Sequence, residues 1–242
     1  MAEEAHLFAY KHDPRNSGIA AAYNWAHDIA VSHDISWLLL LDQDSELPLE
    51  FLESTLMQLV QCESNPDVVA LVPVAQSSST VISPMRVGFC GLRVLPASSF
   101  GNQRAEIMAI NSGAAIRCDF ISLIHGFNRD YWLDYLDYWF FYQVYAHRKM
   151  AAVSKCVIEH KLSVHDYRHS VSTERYRSIL AGEAGFITTY KSKTEIPFYL
   201  LRLISRSIKF VFQKRAELAQ LTIAMLFRII IHPTRSLEGS LE

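Results

Sequence analysis

Two carboxylates, Asp42 and Asp44, stand one residue apart where the apolar run WLLLL (37–41) gives way to DQDSELP (42–48). So short and uniform a run reads as a strand buried on both faces, as in a parallel sheet. In open α/β sheets, ligands bind beyond the carboxyl ends of the strands. Residues i and i+2 can turn toward one side as a strand opens into a loop there. Two hard oxygen ligands in that place suit Mg²⁺ or Mn²⁺, which keep waters and bridge to substrate phosphates. The plainer alternative is that Asp44 and Ser45 cap the helix that follows.

The elements that would position these residues alternate. HLFAYK (6–11) is a short strand candidate. Ser17 is a plausible N-cap for a helix over 19–33, with Ile19, Ala22, Ala26 and Ile29 on one face. After the strand at 36–41, Pro48 opens a helix over 48–62. DVVALVPVA (67–75), VGFCGLRVL (87–95) and EIMAINSGAAIRC (106–118) read as strands. A helix follows near Tyr135 to Arg148, and AAVSKCVIEH (151–160) is a late strand. The alternation predicts an α/β fold with a mostly parallel sheet. Beyond Tyr167 the chain turns helical, basic and aliphatic, which places a boundary near 166: a catalytic-type domain over 1–166 and a helical region over 167–242.

Bulk properties narrow the class. The chain has 242 residues, half of them hydrophobic, enough for one large domain or a domain with an appendage. A net charge of −2 gives no reason to expect nucleic-acid binding. Cys62, Cys90, Cys118 and Cys156 are widely spaced and read as buried thiols in a reducing compartment. The first ten residues have no apolar signal region, and no window of eighteen residues is uninterruptedly apolar.

Five segments then carry a resemblance: NSGIAAAYNWA (16–26), LLLLDQDSELP (38–48), INSGAAIR (110–117), GFNRDYWLDYLDYWFFYQVYAHRK (126–149) and VIEHKLSV (157–164). In order and spacing they resemble family 2 glycosyltransferases, most of all the bacterial rhamnosyltransferase branch. The resemblance spans about residues 6–166, with a weaker echo in RYRSILAG (175–182). It implies a glycosyltransferase A fold, a divalent metal (Mg²⁺ or Mn²⁺) and a nucleotide-sugar donor such as dTDP-rhamnose. The implied reaction is an inverting transfer to a saccharide or lipid-linked acceptor in surface polysaccharide synthesis.

By that resemblance, Asp42 approaches the donor's ribose or the metal, Asp44 binds the metal, and His160 completes the metal shell from across the cleft. Asn16, Gly18 and Asn24 line the nucleotide side, and Ser112 with Gly113 forms the floor near the sugar. A carboxylate must take the acceptor hydroxyl's proton. The family form is Glu-Asp-x-Asp, whereas this chain has Asp-Tyr-Leu-Asp, so Tyr135 occupies the usual base position. The expectation falls on Asp134 first and Asp137 second. Each residue also has a structural reading: helix capping for Asn16, Gly18, Asn24 and Asp134, a strand bulge for Ser112 and Gly113, and a lone structural histidine for His160. The aromatic run from Tyr131 to Phe141 could stack on sugars, though its helical spacing fits core.

The resemblance begins at what would be the third strand, so about 60 residues of two strand–helix units, with the acid that reads the base, would be absent. A degenerate, non-catalytic member acting as a binding or scaffold subunit is the alternative. In the C-terminal region Arg202, Arg206, Lys209, Lys214, Arg215 and Arg228 are interspersed with aliphatic residues. They suit either helices resting on an anionic inner leaflet or helices packed on the core or on a second subunit. The expected location is cytoplasmic, with peripheral membrane contact and homo-oligomerisation open.

Overall fold

The computed structural model describes residues 8–43, 45–88, 91–96, 99–160 and 172–231. Residues 8–11 form no strand, and the start of the HLFAYK segment lies outside the described residues. The first element is helix α1 (Ile19–Ser32), capped by Gly18 and not by Ser17. The Ser17 amide instead donates to Asp13 Oδ2 in the preceding turn. The buried stripe of α1 is Ala20, Tyr23, His27 and Ala30. This is the expected face rotated by one residue, because Tyr23 and His27 turn inward and find hydrogen-bond partners there.

Strand β1 (Trp37–Leu39) leads through β2 (Ser45–Glu46) to helix α2 (Phe51–Glu63). Pro48 lies outside α2, its carbonyl accepting from the Phe51 amide in the entering turn. Strand β3 (Val68–Ser77) is the sheet's spine, with six consecutive buried residues from Val68. Then come β4 (Thr80–Ser83), β5 (Met85–Gly88), β6 (Gly91–Val94), β7 (Gly101–Gln103), β8 (Ile107–Met108) and β9 (Ala115–Arg117). Helices α3 (Cys118–Leu123) and α4 (Leu136–Ala146) precede the long strand β10 (Met150–His160). Helices α5 (Thr173–Tyr190), α6 (Ile196–Phe212) and α7 (Ala216–Ile231) follow.

The main sheet runs β1-β9-β3-β10-β2, with β4 beside β3 and β7 beside β10. Among the described residues only β3 and β10 pair in parallel, and the other ladders of this sheet are antiparallel. The sheet is therefore mixed, and the mostly parallel expectation does not hold. Strand β1 pairs with β9 alone among the described residues and is half-buried, not buried on both faces. Pro73 is tolerated inside β3 because it falls between the last β9 partner at Leu71 and the first β4 partner at Ala75. Proline cannot donate to a ladder, so such a gap is where it fits. A second sheet, β6-β5-β8, stands apart.

One apolar cluster joins the sheet to the C-terminal helices: Ile116, Phe140, Tyr176 and Leu203 all belong to it. Helix α6 contributes Tyr199, Leu203 and Phe210, spaced as one helical face. Arg117 ties β9 to the end of α2, donating to the carbonyls of Val68 (2.8 Å) and Cys62 (2.9 Å) and pairing with Glu63 at 3.1 Å. Trp37 also donates to Glu63. Cys62, Cys118 and Cys156 are buried free thiols, and burial pushes those of Cys62 and Cys118 up. Cys90 lies outside the described residues. Among the described residues no helix is long and apolar enough to cross a membrane.

Candidate active site

The carboxyl end of β1 and the far end of β10 are brought together by strand β2. Ser45 is the register partner of His160, and Glu46 that of Glu159. The side chains follow: Ser45 Oγ is 2.7 Å from His160 Nδ1 and 2.7 Å from Ser112 Oγ. The Asp42 amide donates to Ser112 Oγ at 3.2 Å. Ser112 is fully buried, so one hydroxyl joins the acidic loop to the turn ahead of β9. The Leu40 amide donates to the Ala114 carbonyl (2.9 Å), and the Gly113 amide returns to the Leu40 carbonyl (2.8 Å).

Gly113 is required at that return. Its φ is +76°, and a Cβ would sit 2.8 Å from Pro73 Cγ and 3.2 Å from Ile158 Cδ1. Asn111 beside it is buried, and its Oδ1 has no partner. Buried side-chain polar atoms are nearly always hydrogen-bonded, so this acceptor is unusual.

Helix α1 forms the opposite wall. Tyr23 donates its hydroxyl to Asp42 Oδ1 at 3.3 Å. Burial and the Asp42 charge push that phenol well up, so it remains a donor. Asn24 clamps Phe127 with both ends of its amide, accepting from the Phe127 amide (2.7 Å) and donating to its carbonyl (2.8 Å). Gly18, at φ +88°, lies directly on the Trp132 carbonyl. That carbonyl accepts from the Ile19 amide at 2.8 Å, and Trp132 Nε1 donates to the Asn16 carbonyl at 2.7 Å. Asn16, Gly18 and Asn24 thus hold the segment before α4 against α1.

Two further acids enter from that segment. Tyr135, in the left-handed region at φ +68°, is the residue before α4, so Asp134 does not cap the helix. Asp134 accepts from Arg175 of α5 at 2.9 Å, while its Oδ2 is buried without a partner. Burial pushes its carboxyl up and the guanidinium partly offsets this. Asp137, in the first turn of α4, accepts from the Tyr138 amide at 2.9 Å. Burial, with Asp134 and Asp42 adding repulsion, pushes it up to about 6. Asp137 thus feels the negative charge of Asp134 and of Asp42.

Asp44 lies outside the described residues, as does the segment beyond His160 up to 171. Among the described residues no group of three His, Cys, Asp or Glu could hold a metal ion. Mg²⁺ is commonly held by one or two carboxylates with waters and phosphates, so Asp42 and the Ser45–His160 corner are chemically compatible with such an ion. The structure therefore groups Asp42, Ser112, Gly113 and His160 at one sheet end, with Asp137 within electrostatic reach of Asp42 and of Asp134. Asn16, Gly18 and Asn24 act on the neighbouring loop. Sequence reasoning missed Tyr23, Ser45 and Arg175 as members of this constellation. All three lie inside the quoted segments, Arg175 at the head of RYRSILAG (175–182), but nothing local marks them, and Arg175 enters from a helix far along the chain.

No family model matches the chain, and no curated protein matches it. Among solved structures, the crystal structure of S. aureus TarS 1-349 is similar over 91% of this chain and 73% of that one, with a TM-score of 0.39 and 12% sequence identity. A likeness that loose carries no conclusion about fold or function.

Proposed function

We propose that the chain is an inverting, metal-dependent glycosyltransferase acting on a nucleotide-sugar donor. Rhamnose, as dTDP-rhamnose, is the sugar the sequence resemblance implies, and the acceptor is a saccharide or lipid-linked saccharide. The observation that supports this most is the convergence of Asp42, at a strand end, with Asp137 and with the Ser45–His160 corner. Asp42, Asp44 and His160 would hold Mg²⁺ or Mn²⁺. Bound there, the ion would supply charge neutralisation for the leaving diphosphate.

The protein's own residues account for the proton. The acceptor hydroxyl oxygen bonds to the anomeric carbon as the carbon–oxygen bond to the diphosphate breaks, and the nucleoside diphosphate leaves with the electron pair. The hydroxyl proton passes to a carboxylate. Asp137 is assigned that role ahead of Asp134, the reverse of the sequence expectation. A pKa of about 6 leaves Asp137 ionised near neutrality yet basic enough to accept a proton. Asp134 is also raised by burial, but Arg175 pairs with its Oδ1 and offsets part of that rise, which puts it behind Asp137. Tyr23 orients Asp42, and Ser112 fixes its backbone.

Titration calorimetry with dTDP, in the presence and absence of Mn²⁺, tests the donor half. Metal-dependent binding should vanish in Asp44→Ala and weaken in Asp42→Ala. Asp137→Asn should bind dTDP normally and lose about 10²–10⁴-fold in turnover of dTDP-rhamnose. Binding unchanged by Asp44→Ala, or full turnover in Asp137→Asn, overturns the assignment.

A further inference from the structure

A cavity of about 900 Å³ lies between the β6-β5-β8 sheet and helices α4, α5 and α6. Its size is at the upper end of the ~300–1,000 Å³ typical of small-molecule sites. It is distinct from the carboxylate cluster: Tyr135 and Tyr138 line it, and Asp134 and Asp137 do not. Its wall is mainly apolar and aromatic, with Phe141, Tyr142 and Phe186 facing Ile107 and Met108.

Two observations indicate the occupant. Leu201 lines the cavity while 62% exposed, and it begins an exposed apolar row on α6 with Ile204, Ile208 and Val211. The cavity therefore opens onto apolar surface, and a long aliphatic chain can enter without crossing a continuous polar rim. Polar groups are nevertheless present in the lining, among them Lys191, Arg202 and Glu195. Lys191 lies 5.9 Å from the Phe186 ring centre and Arg202 lies 5.4 Å from that of Tyr199. An apolar trough that carries charged groups fits neither a fully polar ligand nor a bare hydrocarbon.

We infer that this cavity binds the single aliphatic chain of an amphiphile, with the polar head held among Lys191, Arg202 and Glu195. Free fatty acid and single-chain phospholipid share that chemistry. The inference stands independently of the transferase reading, since neither the acids of that site nor the Ser45–His160 corner lines the cavity.

The probe is dansyl-labelled undecanoic acid, titrated into the full chain and followed by fluorescence. Saturable binding is expected, displaced by oleic acid or by lysophosphatidylglycerol, and the tighter competitor identifies the source. Leu201→Asp places a charge in the path of the chain and should weaken binding about tenfold or more. Ser205→Trp, at another exposed lining position, should weaken it comparably by filling the opening. Phe227→Asp, on the exposed face of α7 and outside the lining, should leave it unchanged. Melting curves confirm that each variant is folded. Absence of saturable binding, or equal loss in Leu201→Asp and Phe227→Asp, overturns the inference, because either would reduce the effect to non-specific adsorption.

Discussion

The sheet end and the C-terminal helices α5–α7 hold their polar groups in different ways. At the sheet end, neutral hydroxyls and an imidazole join Ser45, Ser112 and His160, while Asp137 feels the negative charges of Asp134 and Asp42. In the helices, the buried Glu183 of α5 is matched by a bidentate Arg206 of α6 at 2.6 and 2.9 Å. Tyr199 donates to the same carboxylate at 3.4 Å, and Tyr176 meets Thr222 at 2.7 Å. The helices match their buried acid with a cation; at the sheet end Asp134 is paired with Arg175, while Asp137 is held beside the like charges of Asp134 and Asp42. Balanced charge serves packing, whereas accumulated like charge raises folding cost and is typical of a site awaiting a cation or a proton.

The largest expected effect on stability breaks the balanced side. Glu183→Gln leaves the Arg206 guanidinium largely buried without its counter-charge. Removing one partner of a buried pair costs about 3–5 kcal/mol. Chemical denaturation should show that loss, and it should fall sharply in the double variant Glu183→Gln/Arg206→Met, where no charge is stranded. A single variant within about 0.5 kcal/mol of wild type would mean that water already shares the pair.

Gly113 tests the sheet end next. Alanine there must hold a positive φ, costing about 1–2 kcal/mol, and its Cβ would press on Pro73 and Ile158. Displacing well-packed neighbours costs about 1–3 kcal/mol more. The expected total loss of about 2–5 kcal/mol is read from denaturation midpoints. The variant also separates two roles for the INSG turn. If Gly113→Ala lowers stability but leaves dTDP binding intact, the glycine serves packing alone, whereas loss of both ties the turn to the site.

How much of this was legible follows from which interactions are local. Strand β3 was readable from its continuous apolar run, and β10 from an apolar start that passes into buried–exposed alternation from Lys155 onward. Helices α2 and α4 were readable from their apolar and aromatic content. The inward face of α1 was not, because its stripe contains Tyr23 and His27, whose burial depends on Asp42 and on the Cys118 carbonyl. The mixed sheet was not legible either. The strand-like 106–118 segment splits into β8 and β9, and Gly113 turns the chain so that β9 runs against both neighbours. The acids Asp42, Asp134 and Asp137 were visible as types at suggestive places. Which of the latter two is neutralised was decided by Arg175, about forty residues further on, where no local pattern reports it.

The smallest expected effect is a pH dependence that sharpens the contrast between the regions. Asp137 is pushed from 3.8 up to about 6, so the fold favours its protonated form. Between about pH 4 and about pH 6 the native state then holds more of this proton than the unfolded chain does. The stability it contributes is complete below about pH 4 and is lost as pH rises through about 6. Lifting a carboxyl that far penalises the ionised form by about 3 kcal/mol at most. The substitution Asp137→Asn mimics the protonated acid at every pH, and the new side-chain oxygen can still accept from the Tyr138 amide. In urea titrations with EDTA present, Asp137→Asn should match wild type near pH 4 and exceed it by about 1–3 kcal/mol near pH 7. Other carboxylates titrate in both proteins, so the difference between the two curves isolates Asp137 and its effect on Asp134. Glu183→Gln should show no such gain at neutral pH, because its charge is already matched. A variant that gains stability while losing turnover is what a carboxylate kept for chemistry predicts. Parallel stability curves for wild type and Asp137→Asn would show that Asp137 is as well solvated as a surface acid, and would return Asp134 to first place as the base.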